Sequence, residues 1–131
     1  MKNRKLAERF LSKANQDMIV IEKWRQDKEI PDEILGFHAQ QAAEKMLKAV
    51  LAYQGIEFPF THRLADLIDL SKKQGIVLPE RLEEVRFLTP FAVKFRYDLY
   101  YEEDKEPIDF KEIFTLLIEL RNWVNTIISQ E

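Results

Sequence analysis

The sequence predicts an all-α protein: one helical bundle with three long helices and one or two shorter ones, forming a single domain over residues 1–131. Apolar residues recur at helical spacing along most of the chain, with no convincing strand pattern and no internal repeat. Three glycines and five prolines are too few for a turn-rich β-sandwich. With 46% hydrophobic residues, the 131-residue chain can bury a sizeable core.

Composition excludes several chemistries before any motif is considered. The chain has no cysteine, so disulfides, thiolate zinc sites and a thiol nucleophile are excluded. Only two histidines are present, His38 and His62, and we therefore predict no metal site and no cofactor. The net charge of −3 argues against a protein that coats nucleic acid, although a local basic patch is compatible with it.

No segment has the character of a targeting or membrane-spanning sequence. The basic amino terminus is followed by apolar residues that polar side chains interrupt, whereas a secretory signal requires an unbroken apolar stretch. No run approaches the ~18 apolar residues that a membrane span requires. We therefore expect a cytoplasmic protein without membrane contact.

The first three helices follow from periodicity and from residues typical of helix ends. Apolar residues at helical spacing predict a first helix over about 3–26 and a second over about 32–54. Gly55 fits the position just after the end of the second helix, where a left-handed backbone is common. A short third helix is predicted over about 62–74, with Thr61 as its N-cap.

The carboxyl-terminal half is predicted to contain a kinked helix, a loop and a long final helix. A fourth helix begins near Pro79 and turns these residues inward: Leu82, Val85, Leu88, Ala92 and Phe95. Pro90 must kink or restart this helix, with Thr89 as the cap of the second piece. Residues 97–109 have the composition of a loop, and a last helix is predicted over about 107–129.

The second helix carries an unusually wide apolar face. At 100° per residue its apolar side chains cover an arc of roughly 180°, wider than the ~100° stripe of a surface helix. Such a helix is either central in its own bundle or also buried against a second subunit. Gln40 falls inside this arc between Leu47 and Leu51, and we predict these three residues for a subunit interface. A buried amide requires hydrogen-bond partners, within the fold or across that interface.

The borders and the opposite side of this helix are polar. Glu44 and Lys48 form a favourable i, i+4 pair that we expect to be solvated. Lys45 is a candidate phosphate ligand. His38 borders the apolar arc, where a half-buried histidine bonded to a carboxylate or the backbone is the ordinary interpretation and a ligand-binding role the alternative. His62 is expected to hydrogen-bond in the first turn of the third helix, or else to bind an anion such as phosphate there.

Three stretches together resemble the HEPN domain. They are FHAQQAAEKMLKAVL at 37–51 with Gly55 after it, THRL at 61–64, and LTPFAVKFRYD at 88–98. The resemblance extends over nearly the whole chain. It implies an up-and-down helical bundle of about four to five helices, and commonly a homodimer.

The resemblance implies two divergent functions. Many HEPN proteins cleave RNA without a metal, using an arginine followed after four to six residues by a histidine. Others accompany a small nucleotidyltransferase as nucleotide-binding or partner subunits. In this chain Arg96 has no histidine at that spacing, and Tyr101 occupies the four-residue position. With an ordinary pKa near 10, tyrosine is a poor general base at neutral pH.

The sequence therefore predicts a nucleotide-binding or partner subunit of a two-component, toxin–antitoxin-like system with a small nucleotidyltransferase. An ATP-like ligand is the expected nucleotide, and RNA is a less favoured partner. The residues predicted to bind nucleotide or phosphate are Arg96, Tyr97, His62, Lys45 and His38. Two alternatives stay open: an RNA-cleaving enzyme with an altered site built from Arg96, Tyr101 and a histidine such as His62, and a non-catalytic scaffolding dimer.

Overall fold

The computed structural model describes residues 2–92 and 109–129. These residues form four α-helices and one 3-10 helix, and no strand occurs among them. In chain order the elements are α1 (Arg4–Trp24), α2 (Asp32–Tyr53), α3 (Leu64–Lys73), the 3-10 helix η1 (Glu80–Leu88) and α4 (Phe110–Ile128). The predicted all-α class is confirmed, and the boundaries predicted for the first two helices agree within a few residues.

Helices α1 and α2 form an antiparallel hairpin. The side chain of Asn3 caps α1 by accepting a hydrogen bond from the Leu6 backbone N–H at 3.0 Å. The backbone N–H of Asn3 donates to the carbonyl of Ala52 at 3.1 Å, so the beginning of α1 lies beside the end of α2. Helix α2 then ends as predicted, with Gly55 in the left-handed region at φ 72°.

Helix α2 is the central element of the bundle. It packs against α1, α3, η1 and α4, and every residue from Met46 to Tyr53 is buried. The wide apolar arc is therefore covered by the chain's own helices. Gln40, Leu47 and Leu51, the residues predicted for an interface, are fully buried within the single chain. The width of the arc thus gives no reason to invoke a second subunit.

The beginning of α3 differs from the prediction. The helix starts at Leu64 with Arg63 as its N-cap, two residues later than expected. Thr61 does not cap it, because its hydroxyl accepts from the Arg63 backbone N–H at 3.0 Å and donates to Asp66 at 3.1 Å. The first helical N–H, that of Leu64, is satisfied by the hydroxyl of Thr89 at 3.0 Å. Thr89, expected to cap a restarted helix at Pro90, therefore caps α3 from a distant part of the chain.

The fourth predicted helix is a 3-10 helix in its first part. Leu82, Val85 and Leu88 are buried at every third position, which is the repeat that a 3-10 helix places on one face. On the outer side, Arg81 forms ion pairs with glutamates of η1 and α4, namely Glu84, Glu112 and Glu119. These carboxylates raise the pKa of Arg81 above its already high ordinary value, Glu84 and Glu112 foremost.

The final helix begins slightly later than predicted. Asp109 is its N-cap and accepts from the Glu112 backbone N–H at 3.1 Å, so α4 starts at Phe110. The rest of the predicted loop, residues 97–108, lies outside the described residues, as does Phe95.

Candidate functional site

Two buried carboxylates organise the polar side of α2. Asp17 of α1 is 7% exposed, and Glu44 of α2 is 5% exposed. Each accepts hydrogen bonds from one histidine and one lysine, so the two histidines of the chain belong to two similar clusters. Because a buried carboxylate is costly unless it is paired, these partners explain how both charges are accommodated.

The Asp17 cluster joins α1 to α2. One carboxylate oxygen of Asp17 lies 2.8 Å from Nδ1 of His38, and the other lies 2.7 Å from Nζ of Lys45. This agrees with the interpretation of His38 as a half-buried histidine with a carboxylate partner. Lys45, predicted as a phosphate ligand, is here engaged by the same carboxylate.

The Glu44 cluster joins α2 to the segment before α3. One oxygen of Glu44 accepts from Nε2 of Gln40 at 3.0 Å and contacts Nδ1 of His62 at 2.8 Å, and the other accepts from Nζ of Lys48 at 2.9 Å. Gln40 also donates to the carbonyl of His62 at 3.1 Å, and its own oxygen accepts from Gln41 at 2.7 Å. The buried amide therefore finds its partners within the fold.

The expectation of a solvated Glu44–Lys48 pair is wrong, because both residues are buried. Burial by itself raises the pKa of the Glu44 carboxyl. The hydrogen bonds from Gln40, His62 and Lys48, together with the lysine charge, outweigh this effect and hold the pKa below its ordinary value. Glu44 is thus an ionised acceptor at neutral pH.

His62 precedes α3 and does not hydrogen-bond in its first turn as predicted. An ionised carboxylate can only accept, so Nδ1 of His62 carries the proton shared with Glu44. Nε2 then points away from Glu44 and has the lone pair when the ring is neutral. About half of the His62 side chain, 51%, is exposed. Its ring also contacts Phe60 edge to face, with centroids 5.8 Å apart.

The predicted site residues divide into three groups. His38 and Lys45 meet at Asp17, and His62 meets Lys48 at Glu44. The third group, Arg96, Tyr97 and Tyr101, lies outside the described residues.

Sequence reasoning missed the organising role of Asp17, although a signal was present. Asp17 shares the apolar stripe of α1 with Ala14 and Ile21, both of which are buried. A carboxylate on such a stripe indicates a buried partner. Local spacing indicated the Glu44–Lys48 pair but not the full role of Glu44, because its histidine partner lies 18 residues further along the chain.

The described residues contain neither a cluster of metal ligands nor a membrane-spanning helix. Within 2–92 and 109–129, no three histidine, aspartate or glutamate side chains are grouped so that they could hold a metal. No helix in this part of the chain is long and apolar enough to cross a bilayer.

The chain thus folds as a helical-bundle domain around one buried central helix, and the two carboxylate clusters lie on the polar side of that helix. The sequence profile of the HEPN domain matches residues 7–127, so the chain belongs to the HEPN domain family. The structure is similar to the crystal structure of an archaeal HEPN homologue, with a TM-score of 0.71 and 26% sequence identity. That similarity covers 98% of this chain and 100% of the homologue. Comparison with curated proteins gave no significant match.

Proposed function

We propose that this HEPN protein is a nucleotide-binding or partner subunit of a two-component, toxin–antitoxin-like system, acting with a small nucleotidyltransferase as a homodimer. One observation carries the proposal: the HEPN fold is combined with histidines that stand at no Arg-x4-6-His spacing and are each held by a carboxylate of the fold. His38 belongs to the α1–α2 contact, and His62 belongs to the contact between α2 and the segment before α3. Both histidines therefore have a structural role, because each holds two parts of the bundle together.

The proposed ligand is an ATP-like nucleotide. His62 supports this proposal best among the described residues, because its side chain is about half exposed and its imidazolium form can donate from Nε2 to phosphate oxygens. Lys45 and His38 are already engaged by Asp17 and would contribute less. The proposed nucleotide site also includes Arg96 and Tyr97, which lie in the part of the chain that the structure does not describe.

The proposed dimer would use a surface other than the one expected from the helical wheel. Gln40, Leu47 and Leu51 are fully buried in one chain and have no exposed area to offer a partner. Large apolar side chains do reach the surface elsewhere, including Ile19 on α1 and Val77 before η1. These are the residues to substitute first if the protein is a dimer in solution.

Titration of ATP into the purified protein tests the nucleotide part of the proposal. We expect a saturable heat in a calorimeter, with one site per chain. The absence of a heat over a concentration range reaching millimolar ATP would contradict nucleotide binding. Co-expression with a candidate small nucleotidyltransferase tests the partner part, which predicts that the two chains copurify.

RNA cleavage is a second candidate, and one geometric observation favours it. A histidine with Nδ1 held by a buried carboxylate at 2.8 Å, as in Glu44–His62, is an arrangement that supports general-base chemistry at Nε2. Incubation of labelled RNA with the wild-type protein, Arg96→Ala and His62→Ala distinguishes this function. If the wild-type protein cleaves the RNA and both variants do not, the partner-subunit proposal is contradicted. Uncleaved RNA in all three samples supports that proposal.

A further inference from the structure

The four residues before α3 present three side chains suited to recognition. Phe60 is 95% exposed, although it is a large apolar side chain. His62 exposes about half of its imidazole next to the Phe60 ring. The Arg63 side chain is 73% exposed, and its ion pair with Asp66 is long at 4.0 Å. Such an exposed pair is weak, so the guanidinium can readily bind another anion.

Three of these residues, 61–63, are held in place by hydrogen bonds to α2 and α3. The carbonyl of His62 accepts from the buried amide of Gln40, and its Nδ1 is fixed by Glu44. The hydroxyl of Thr61 fixes the Arg63 backbone and donates to Asp66. Because residues 61–63 are already held by these hydrogen bonds, they lose little conformational entropy when a ligand binds.

We propose that the 60–63 segment is the contact surface for a nucleoside phosphate, with the base stacked on Phe60 and the phosphate bound by Arg63 and by the Nε2–H that His62 offers in its imidazolium form. An exposed aromatic ring in contact with an imidazole, on the same short segment as an exposed guanidinium, offers groups for the two ends of a nucleotide. This inference rests on the proposed function and adds two residues, Phe60 and Arg63, that the sequence analysis did not single out. The nucleotide is either free, as in ATP, or part of a single-stranded RNA.

The test compares Phe60→Ala and Arg63→Gln with the wild-type protein in two binding assays. Calorimetry with ATP measures the free nucleotide, and fluorescence polarisation with a labelled single-stranded RNA measures the strand. Phe87→Ala is the matched control, because Phe87 is also a strongly exposed phenylalanine but lies in η1. Thermal unfolding of each variant establishes that the fold is kept, as expected for a side chain as exposed as Phe60.

We expect Phe60→Ala to weaken binding about 5- to 150-fold, the range typical of losing one base-stacking contact. Arg63→Gln should weaken it about tenfold through the lost charge–phosphate contact, and Phe87→Ala should bind as the wild type does. Loss confined to the ATP assay or to the RNA assay identifies the source of the nucleotide, and either result supports the surface.

Three other results would overturn the inference. Wild-type binding of ATP or RNA that neither variant weakens in either assay would refute this surface while leaving the proposed nucleotide-binding function intact. An equal loss in Phe60→Ala and Phe87→Ala would refute the assignment to residues 60–63. A wild-type protein that binds neither ATP nor RNA would refute both the surface and the nucleotide-binding function.

Discussion

At the scale of single residues, Glu44 is one of the two carboxylates that organise the polar side of α2. It is buried, ionised, and bonded to Gln40, His62 and Lys48. Its removal would leave the Lys48 ammonium, itself buried, without its carboxylate. It would also release the segment that His62 connects to α2. A buried pair broken on one side is much more costly than an exposed pair.

We therefore expect Glu44→Ala to lower the free energy of unfolding by about 3 kcal/mol. Glu119→Ala is the matched control, because Glu119 pairs with Arg81 on the surface of α4 and is largely exposed. The control should cost less than about 1 kcal/mol. Urea unfolding followed by circular dichroism measures both values. Similar costs for the two variants would show that the Glu44 cluster contributes no more than a surface pair.

The pH dependence of stability follows from the lowered pKa of Glu44. Because the folded protein holds this pKa below the ordinary value of 4.5, the unfolded chain takes up a proton first as the pH falls. The stabilisation is thus fully present above pH 4.5 and is lost as the pH falls through the folded pKa. Urea unfolding of wild type and Glu44→Gln should show a stability difference that narrows from pH 6 to pH 3. A difference that stays constant over this range would contradict the assignment.

The residue-level site was predictable only in part. The sequence indicated that Gln40 needs a partner, since an amide inside an apolar arc must be hydrogen-bonded. Of its two acceptors, Glu44 lies one helical turn away and is within reach of a local argument, whereas the His62 carbonyl lies 22 residues away along the chain. The error for Glu44 and Lys48 has the same origin. A helical wheel describes one helix and contains no information about a distant segment that covers its polar side.

At the scale of elements, one close approach fixes how the chain after η1 meets α2. Gly36 lies on α2 directly beneath the ring of Phe91, and a Cβ added at this glycine would come within 2.3 Å of that ring. Real side chains do not tolerate such a contact, so either the ring or the helix would have to move. The absence of a side chain at Gly36 therefore permits this packing.

Gly36→Ala should destabilise the protein by about 1–3 kcal/mol, although alanine normally stabilises a helix interior. In a Phe91→Ala background the clash is absent, and the same substitution should stabilise by about 0.5–1 kcal/mol. Urea unfolding of the two single variants and the double variant gives the coupling between the sites. An unfavourable effect of Gly36→Ala in both backgrounds would show that Phe91 is not the obstacle.

Element types were predicted well for α1, α2 and α4 because each carries several turns of regular apolar spacing. The error at η1 arose because Leu82, Val85 and Leu88 repeat every third residue. Over such a short stretch this spacing fits either an α-helix or a 3-10 helix. The late start of α3 could not be read from local sequence, since Thr89, the residue that caps it, is 25 positions away.

At the scale of the whole molecule, the chain is a HEPN domain whose central helix is buried on nearly all sides by its own neighbours. The two carboxylate clusters then occupy the positions where α2 meets α1 and the segment before α3. In this arrangement the histidines stabilise the bundle. RNA cleavage would require one of these histidines to serve as general base while it still holds these elements together.

The mass of the co-expressed protein pair in solution tests the proposed function most directly. This chain and a candidate small nucleotidyltransferase would be co-expressed, purified through a tag on one of them, and measured by size-exclusion chromatography with light scattering. We predict one species that contains both proteins and at least two copies of this 15.6 kDa chain. A 15.6 kDa monomer that elutes apart from the nucleotidyltransferase would contradict the account.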